Sequence, residues 1–490
     1  MKLSSLKKIP ARTGSEVFVL FITEETVSGK YASLDTEAAS LFRDADLDLF
    51  KGKSGELFLY PPKSAAKVIL CGLGEEKKVT PESLKSAAAS AVPLCRDKGF
   101  TTIHIFPPDI ASPVAAESLA ALAQGIALAN YSFDRYRNIP PKEAKPLIEK
   151  AVFITALKEA PTFLNEMEII CRNILLCRDL VNETSEESNP LKIVALAKKI
   201  AGDRITCEVF GKNEISRMKM GLLLAVNKGS KIPPQMVVLT YKGNPSSKKY
   251  LAMVGKGITF DSGGVNLKPS GHIETMRMDM AGAAAVMFAL KTAAELKLKK
   301  NLYAVMPLTE NMISNEAYRP GDIFTAYNGK TVEIGNTDAE GRLILADALA
   351  YTSKKLKPEY VVDLATLTGA CIVALGETVA AFLSTNDDLK NMLKTASEQS
   401  GEKIWELPLY PEYDENMKSE IADISNMSAE RNAGTIMGAV FLKNFVDDAK
   451  WAHIDIAGTA WYSKQRGYRP KNATGYGVHL LTELIKDLDI

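Results

Sequence analysis

The sequence predicts an α/β protein in two domains, a smaller N-terminal one and a larger C-terminal one with a central sheet flanked by helices. Three observations predict it. Apolar runs of strand length alternate with helix-length periodic segments along almost the whole chain, the pattern of layered sheets and helices. The 490 residues are too many for one core of ordinary size, at roughly 150 residues per domain. One polar, acidic stretch, NETSEESNP at 182–190, interrupts the alternation and closes on an Asn-Pro turn signal.

Taken in order, Val17 to Ile22 is an unbroken apolar run of strand size. KVILCGLG at 67–74 reads as the next strand, Pro81 to Lys98 as a helix, and TTIHIFP at 101–107 as a further strand. A helix from about Pro161 to Val181 leads into the acidic stretch. Beyond it come a helix over Leu191 to Ala201, strands QMVVLTYKG and YLAMVGKGITF, and an Ala-rich helix from about Met280. Strand NLYAVMPLTEN, helix GRLILADALAY, and strands YVVDLATLT and AHIDIAG follow. Domains are therefore expected at 1–165 and 191–490, with 166–190 as a helical linker. No internal repeat, low-complexity segment or heptad run is present.

Composition narrows the function classes. Hydrophobic residues at 46% and charged residues at 24% are ordinary for a globular protein and exclude a disordered or collagen-like chain. Lys+Arg 60 against Asp+Glu 59 leaves a net charge of +1, so bulk charge indicates neither a nucleic-acid nor a membrane partner. The N-terminus has basic clusters but no apolar stretch of signal-peptide length, which makes a cytoplasmic location the expectation. Six scattered cysteines form no C-x-x-C pair, so neither a disulfide framework nor a thiolate zinc site is indicated. Of the four histidines, His104, His272, His453 and His479, none lies within four residues of another, which excludes an H-E-x-x-H site.

Candidate chemistry sits in three segments. GKGITFDSGGVNLKPS at 255–270 contains Lys256, Asp261, Lys268 and four glycines but neither common phosphate-loop pattern. Its glycines let the backbone carry those charges close around a ligand or metal, the blander alternative being a surface strand end. In MRMDMAGAAAVMFAL, Asp279 opens a helix too apolar to face water, so the acid points toward interior structure. VEIGNTDAEGRLILADALAY puts Asp338 and Glu340 two residues apart in a turn that opens a helix, where an acidic cap is the blander reading. Arg342 and the helix N-terminus on that turn form a candidate anion site. Four carboxylates together carry a charge that two divalent cations neutralise and one does not, so a dinuclear site is favoured, with oxygen-rich ligation suiting Mg, Mn or Zn. One lysine could serve as a neutral amine ligand and the other as a cationic oxyanion partner, and spacing does not assign them.

With NTDAEGRL at 336–343, VGKGITFDSGG at 254–264 and Lys268, the chain resembles the leucyl aminopeptidase (cytosol aminopeptidase) family of two-metal exopeptidases. The resemblance runs from RDLVN at 178–182 to the C-terminus and includes MRMDMAGAA, AYRPGD, DLATLTGA, AGTI and WAHIDIAGTAW. The first 170 residues match loosely, as the family's variable domain does. Departures are ETSEESN at 183–189 and Ile313-Ser314-Asn315, and neither touches a candidate ligand.

The resemblance implies a small variable N-terminal α/β domain and a larger catalytic α/β domain with a central mixed sheet. It implies a tight metal site of Lys256, Asp261, Asp279 and Glu340 and an exchangeable one of Asp261, Asp338 and Glu340. The two divalent ions per chain would be Zn or Mn, with Mg and Co open. Lys268 matches the lysine that polarises the substrate carbonyl. Arg342 matches the arginine that holds bicarbonate as general base, a role arginine itself cannot fill. His272 is expected at the rim. A side-chain pocket maps onto Met276, Thr366, Gly369, Ala457 and Ala460. The implied activity is removal of N-terminal residues, Leu among them, from peptide substrates, with Cys-Gly also open, by a homohexamer of two stacked trimers. Two alternatives stand beside it: an aminopeptidase-related DNA-binding or regulatory protein, as some bacterial relatives are, although no Lys/Arg stripe marks this chain, and a two-metal phosphatase or nuclease.

Overall fold

The structure is a computed structural model that describes residues 1–9, 16–28, 41, 49–60, 67–110, 115–140, 142–428, 430 and 432–490. The chain divides into two compact units, Met1–Leu175 with Lys464–Lys471, and Leu176–Ser463 with Asn472–Ile490. That division falls inside a single helix, Ala160–Asn182. The polar residues after it end the helix, and Asn189 starts the next: its Oδ1 accepts from the N–H groups of Leu191 and Lys192, both at 3.1 Å, capping Pro190–Ile200.

The first unit carries a six-stranded sheet in the order Lys2–Leu6, Lys150–Ile154, Thr102–Phe106, Glu16–Thr23, Lys67–Gly74, Leu57–Tyr60. Every pair is parallel except the last. Parallel strands covered on both faces need continuous apolar sequence, and Val17 to Ile22 is buried at each position. The expected helix forms at Pro81–Asp97, with the Thr80 hydroxyl accepting from Ser83 N–H at 3.2 Å.

The second unit is built on a nine-stranded mixed sheet. Its path runs Ile404–Glu406, Ala380–Ser384, Lys450–Asp455, Tyr360–Ala365, Leu251–Gly255, Asn301–Asn311, Gln235–Lys242, Ile205–Phe210, and Gly257–Asp261 pairs alongside Asn301–Asn311. The middle strands are parallel, and Gln235–Lys242 and Ala380–Ser384 run antiparallel to their inner neighbours. The Ala-rich helix Ala281–Glu295 lies directly on strand backbone, which its small residues permit. A Cβ on Gly282 would sit 2.2 Å from the Leu364 carbonyl oxygen, and one on Gly255 would sit 2.5 Å from that of Gly282.

The segment at 250–260, expected as one strand, is two. Leu251–Gly255 ends and Gly257–Asp261 begins around Lys256, whose N–H donates to Leu364 O at 3.0 Å and whose carbonyl accepts from Ala283 N–H at 2.9 Å. The residue at the break is bonded to the neighbouring strand and the Ala-rich helix, and its side chain enters the site.

Candidate active site

Each carboxylate is positioned by a different local device. Asp261 ends its strand, and its Oδ1 accepts from Gly263 N–H at 2.9 Å and Asn311 Nδ2 at 2.8 Å, leaving Oδ2 for Lys268 Nζ at 2.9 Å. Gly263 turns the chain at φ +86°, and a Cβ there would lie 2.4 Å from Asn266 O, so the turn that returns Lys268 requires glycine. Asp279 follows the 3₁₀ turn Ile273–Met278; its Oδ1 accepts from Thr366 Oγ1 at 2.6 Å and its Oδ2 lies 2.8 Å from Lys256 Nζ.

Asp338 and Glu340 depend on a polar latch. Asn426 accepts from Gly335 N–H at 2.7 Å and donates to Asn336 O at 2.7 Å. Thr337 N–H donates to Asn266 Oδ1 at 2.8 Å, and its hydroxyl donates to Gly263 O at 2.7 Å. Tyr318 and Asn311 both donate to Thr337 O, at 2.7 and 3.0 Å. Asp338 Oδ1 then meets Lys268 Nζ at 2.6 Å. Glu340, the first residue of helix Glu340–Tyr351, meets Lys256 Nζ at 2.9 Å. The next residue is Gly341, and a Cβ there would lie 2.5 Å from Lys256 Cε, so a larger residue would have to displace the Lys256 side chain.

Thus the four predicted acids and both lysines come together, and one oxygen each of Asp261, Asp338 and Glu340 lies within 4.8 Å of the others. Burial and neighbouring carboxylates raise Asp261, Asp279 and Asp338 above the usual carboxylate range, against the pull of the lysines. Burial alone would lower Lys256 and Lys268, but the carboxylates outweigh it and hold both above the ordinary lysine value. Four acids face two ammonium groups, and Glu340 Oε2 is buried with no hydrogen-bond partner. A buried orphan oxygen beside uncompensated negative charge, with hard oxygen donors all round, fits divalent cations.

Arg342 is anchored through NH1 to Asn426 O at 2.9 Å, and its Nε is enclosed without a hydrogen-bond partner. Burial draws it down to about 10, so it remains a cation at neutral pH. No side chain caps its helix, as an anion site on that turn requires.

The pocket residues are placed less uniformly. Thr366 is bound twice to the charged group, its hydroxyl donating to Asp279 and its carbonyl accepting from Lys256 Nζ at 2.9 Å. Met276 is half-buried and accepts from Asp279 N–H through its carbonyl at 3.3 Å. Gly369 is exposed, with nothing within 4 Å of an added Cβ, while Ala457 and Ala460 are buried. His272 is exposed, as expected of a rim residue.

Sequence reasoning missed the latch of Asn266, Asn311, Tyr318, Thr337 and Asn426. It also missed the fully buried group in which Asp363 Oδ1 meets His453 Nδ1 and Asp363 Oδ2 accepts from Trp451 Nε1, both at 2.6 Å. The available signal was a charged residue inside an apolar strand, which must find a partner.

Residues 175–482 match the cytosol aminopeptidase family catalytic domain, and residues 19–140 match that family's N-terminal domain. A probable cytosol aminopeptidase of Protochlamydia amoebophila is 41% identical over 92% of this chain and 91% of its own. One from Geobacter sulfurreducens is 43% identical over 86% and 85%. Among solved structures, a mutant of tomato leucine aminopeptidase superposes with a TM-score of 0.86 at 34% identity, covering 99% of this chain and 96% of that one. The bottromycin maturation enzyme BotP in complex with Mn gives 0.85 at 32%, covering 97% and 99%. The chain belongs to the cytosol aminopeptidase family and is a metal-dependent leucyl-type aminopeptidase, a hydrolase.

Proposed function

We propose that this aminopeptidase removes Leu and similar aliphatic residues, and Cys from Cys-Gly, at the N-terminus of short peptides, using two divalent ions and a bicarbonate base. The observation that carries it is the convergence of four carboxylates from three sequence segments around Lys256 and Lys268, with Glu340 Oε2 left without a partner. Lys256, Asp261, Asp279 and Glu340 would hold one ion, and Asp261, Asp338 and Glu340 the other, Zn or Mn before Mg or Co. Bound there, the ions supply Lewis acidity toward the scissile carbonyl and acidify a water.

The chain's own groups do the rest. Lys268, partly open to solvent, is held cationic and would receive negative charge developing on the carbonyl oxygen. Lys256 is cationic among Asp279, Glu340 and Asp261, and ligation requires that it release its proton as the ion's charge replaces it. Arg342, fixed by Asn426 and with Nε unpaired, would hold the bicarbonate that takes a proton from water. Met276, Thr366, Gly369, Ala457 and Ala460 would line an aliphatic side-chain pocket. The domain division proposed remains 1–165, 166–190 and 191–490, and the protein is proposed to act as a cytoplasmic homohexamer.

Chelation followed by graded reloading tests the reading. Activity on a dipeptide panel should vanish with the metal and return at about two ions per chain. Asp338→Ala should lower the bound metal and abolish most turnover. Full activity of metal-free protein, or an Asp338→Ala variant unchanged in both measurements, would refute the dinuclear site.

A further inference from the structure

Tyr360–Ala365 and Lys450–Asp455 are adjacent parallel strands with Ala365 and Asp455 as their last paired residues. Ile456 N–H still donates to Ala365 O at 2.8 Å. Beyond that rung the chains part, one through Thr366 to Gly369 and into helix Gly369–Leu375, the other through Ala457 to Ala460. Crevices at the C-terminal ends of diverging parallel strands are where α/β sheets receive ligands.

The Asp455 carboxylate lies in this fork, fully buried. Its Oδ1 accepts from Leu367 N–H on one branch and from Ala457 N–H on the other, both at 3.1 Å. Its Oδ2 accepts from Thr368 Oγ1 at 2.6 Å. Thr368 Oγ1 in turn accepts from Cys371 N–H at 3.2 Å, capping the helix, and meets Thr435 Oγ1 at 2.9 Å. A buried charge is costly unless its hydrogen bonds are made, and here they are spent on two loops that carry Thr366, Gly369 and Ala457.

We propose that Asp455 is a positioning residue that sets side-chain selectivity by clasping the two loops of the substrate pocket at a fixed separation. This rests on the aminopeptidase reading and the pocket assignment above. Without the carboxylate, the Leu367 and Ala457 N–H groups and the Thr368 hydroxyl lose their acceptor and the branches can separate. A substrate side chain that fills the pocket then loses more contact than a small one.

The test compares full-length, metal-reloaded wild type with Asp455→Ala, Asp455→Asn and Thr368→Val on leucyl- and alanyl-p-nitroanilide, with metal content measured alongside. In Asp455→Ala the KM for the leucyl substrate should rise and the Leu-to-Ala ratio of kcat/KM should fall by about tenfold or more, the scale of pocket discrimination between aliphatic groups. Asp455→Asn should recover most of the ratio, because its side-chain oxygen still accepts both N–H groups. A folded, metal-loaded Asp455→Ala with an unchanged ratio, or one losing both substrates equally, overturns the proposal. Should Asp455→Ala fail to fold, Thr368→Val decides: the ratio must drop, and an unchanged ratio is a refutation. If wild type cleaves neither substrate, the functional reading is what fails. Amide exchange at Leu367 and Ala457 then judges the clasp separately, faster exchange in Asp455→Ala than in wild type supporting it and equal protection overturning it.

Discussion

Lys268 and Arg342 are two cations with different tasks, and single substitutions should separate them. Lys268 reaches Asp261 and Asp338 and is partly open to solvent, so Lys268→Ala should keep the metals yet lower kcat by about 10²–10³, the usual cost of one oxyanion donor. Unaltered kcat would remove it from the reaction. Arg342 reaches the backbone at Asn426. Arg342→Ala should retain metal and near-normal KM while kcat falls about 10²-fold, within the range of general-base contributions. Carbonate-depleted buffer should slow wild type, and added bicarbonate should restore wild type far more than the variant. A wild type indifferent to depletion would exclude bicarbonate. At this scale the acids and lysines were legible because each stands in a glycine-rich or conspicuously apolar context. Asn426 and Asp455 were not: a lone polar residue at a strand end says nothing of partners such as Gly335, 91 positions away.

Elements were legible where periodicity was continuous and illegible where a backbone bond interrupts it. The apolar run at 250–260 gives no sign of the break at Lys256, since the Leu364 carbonyl and Ala283 N–H that hold it come from distant sequence. In the acidic stretch at 182–190 the long helix ends and Asn189 caps the next one, a pairing of side chain to backbone that composition does not reveal. The last helix, Val478–Asp487, makes a pH prediction. Burial pushes Glu483 up, but the hydrogen bond to His479 and the Lys486 ammonium outweigh it and hold the carboxyl down from 4.5 to about 2. A depressed carboxyl stabilises the fold above its unfolded value and loses that contribution as pH falls through its folded one. Glu483→Gln should therefore lower the apparent melting temperature at pH 7, by an amount equivalent to something on the order of 2–3 kcal/mol. The difference from wild type should close between pH 4.5 and about 2. A pH-independent difference would mean that packing, not charge, sets the effect.

For the whole molecule, the α/β class and the larger second sheet were legible, but strand order was not, because neighbours in the sheet such as Tyr360–Ala365 and Leu251–Gly255 are far apart in sequence. The assembly is a separate prediction. Light scattering should give six times the chain mass for the active species, and an active monomer would refute the hexamer. Large apolar side chains left in the open, Val373 at 89% and Trp405 at 65% exposure, are candidates for burial in such an assembly.

The return of Lys464–Lys471 to the first unit bears on how this protein can be inherited. In that segment Tyr468 donates to Glu82 at 3.0 Å and Arg469 pairs with Glu82 at 3.2 Å, so the first unit is encoded in two pieces, the second of them inserted within the sequence of the other unit. A recombination event that swapped only the 5′ portion between relatives would bring in Glu82 without the Tyr468 and Arg469 that pair with it. The N-terminal unit is therefore not a free cassette, and a chimera cut between Glu82 and Tyr468 tests that linkage at Tyr468 and Arg469.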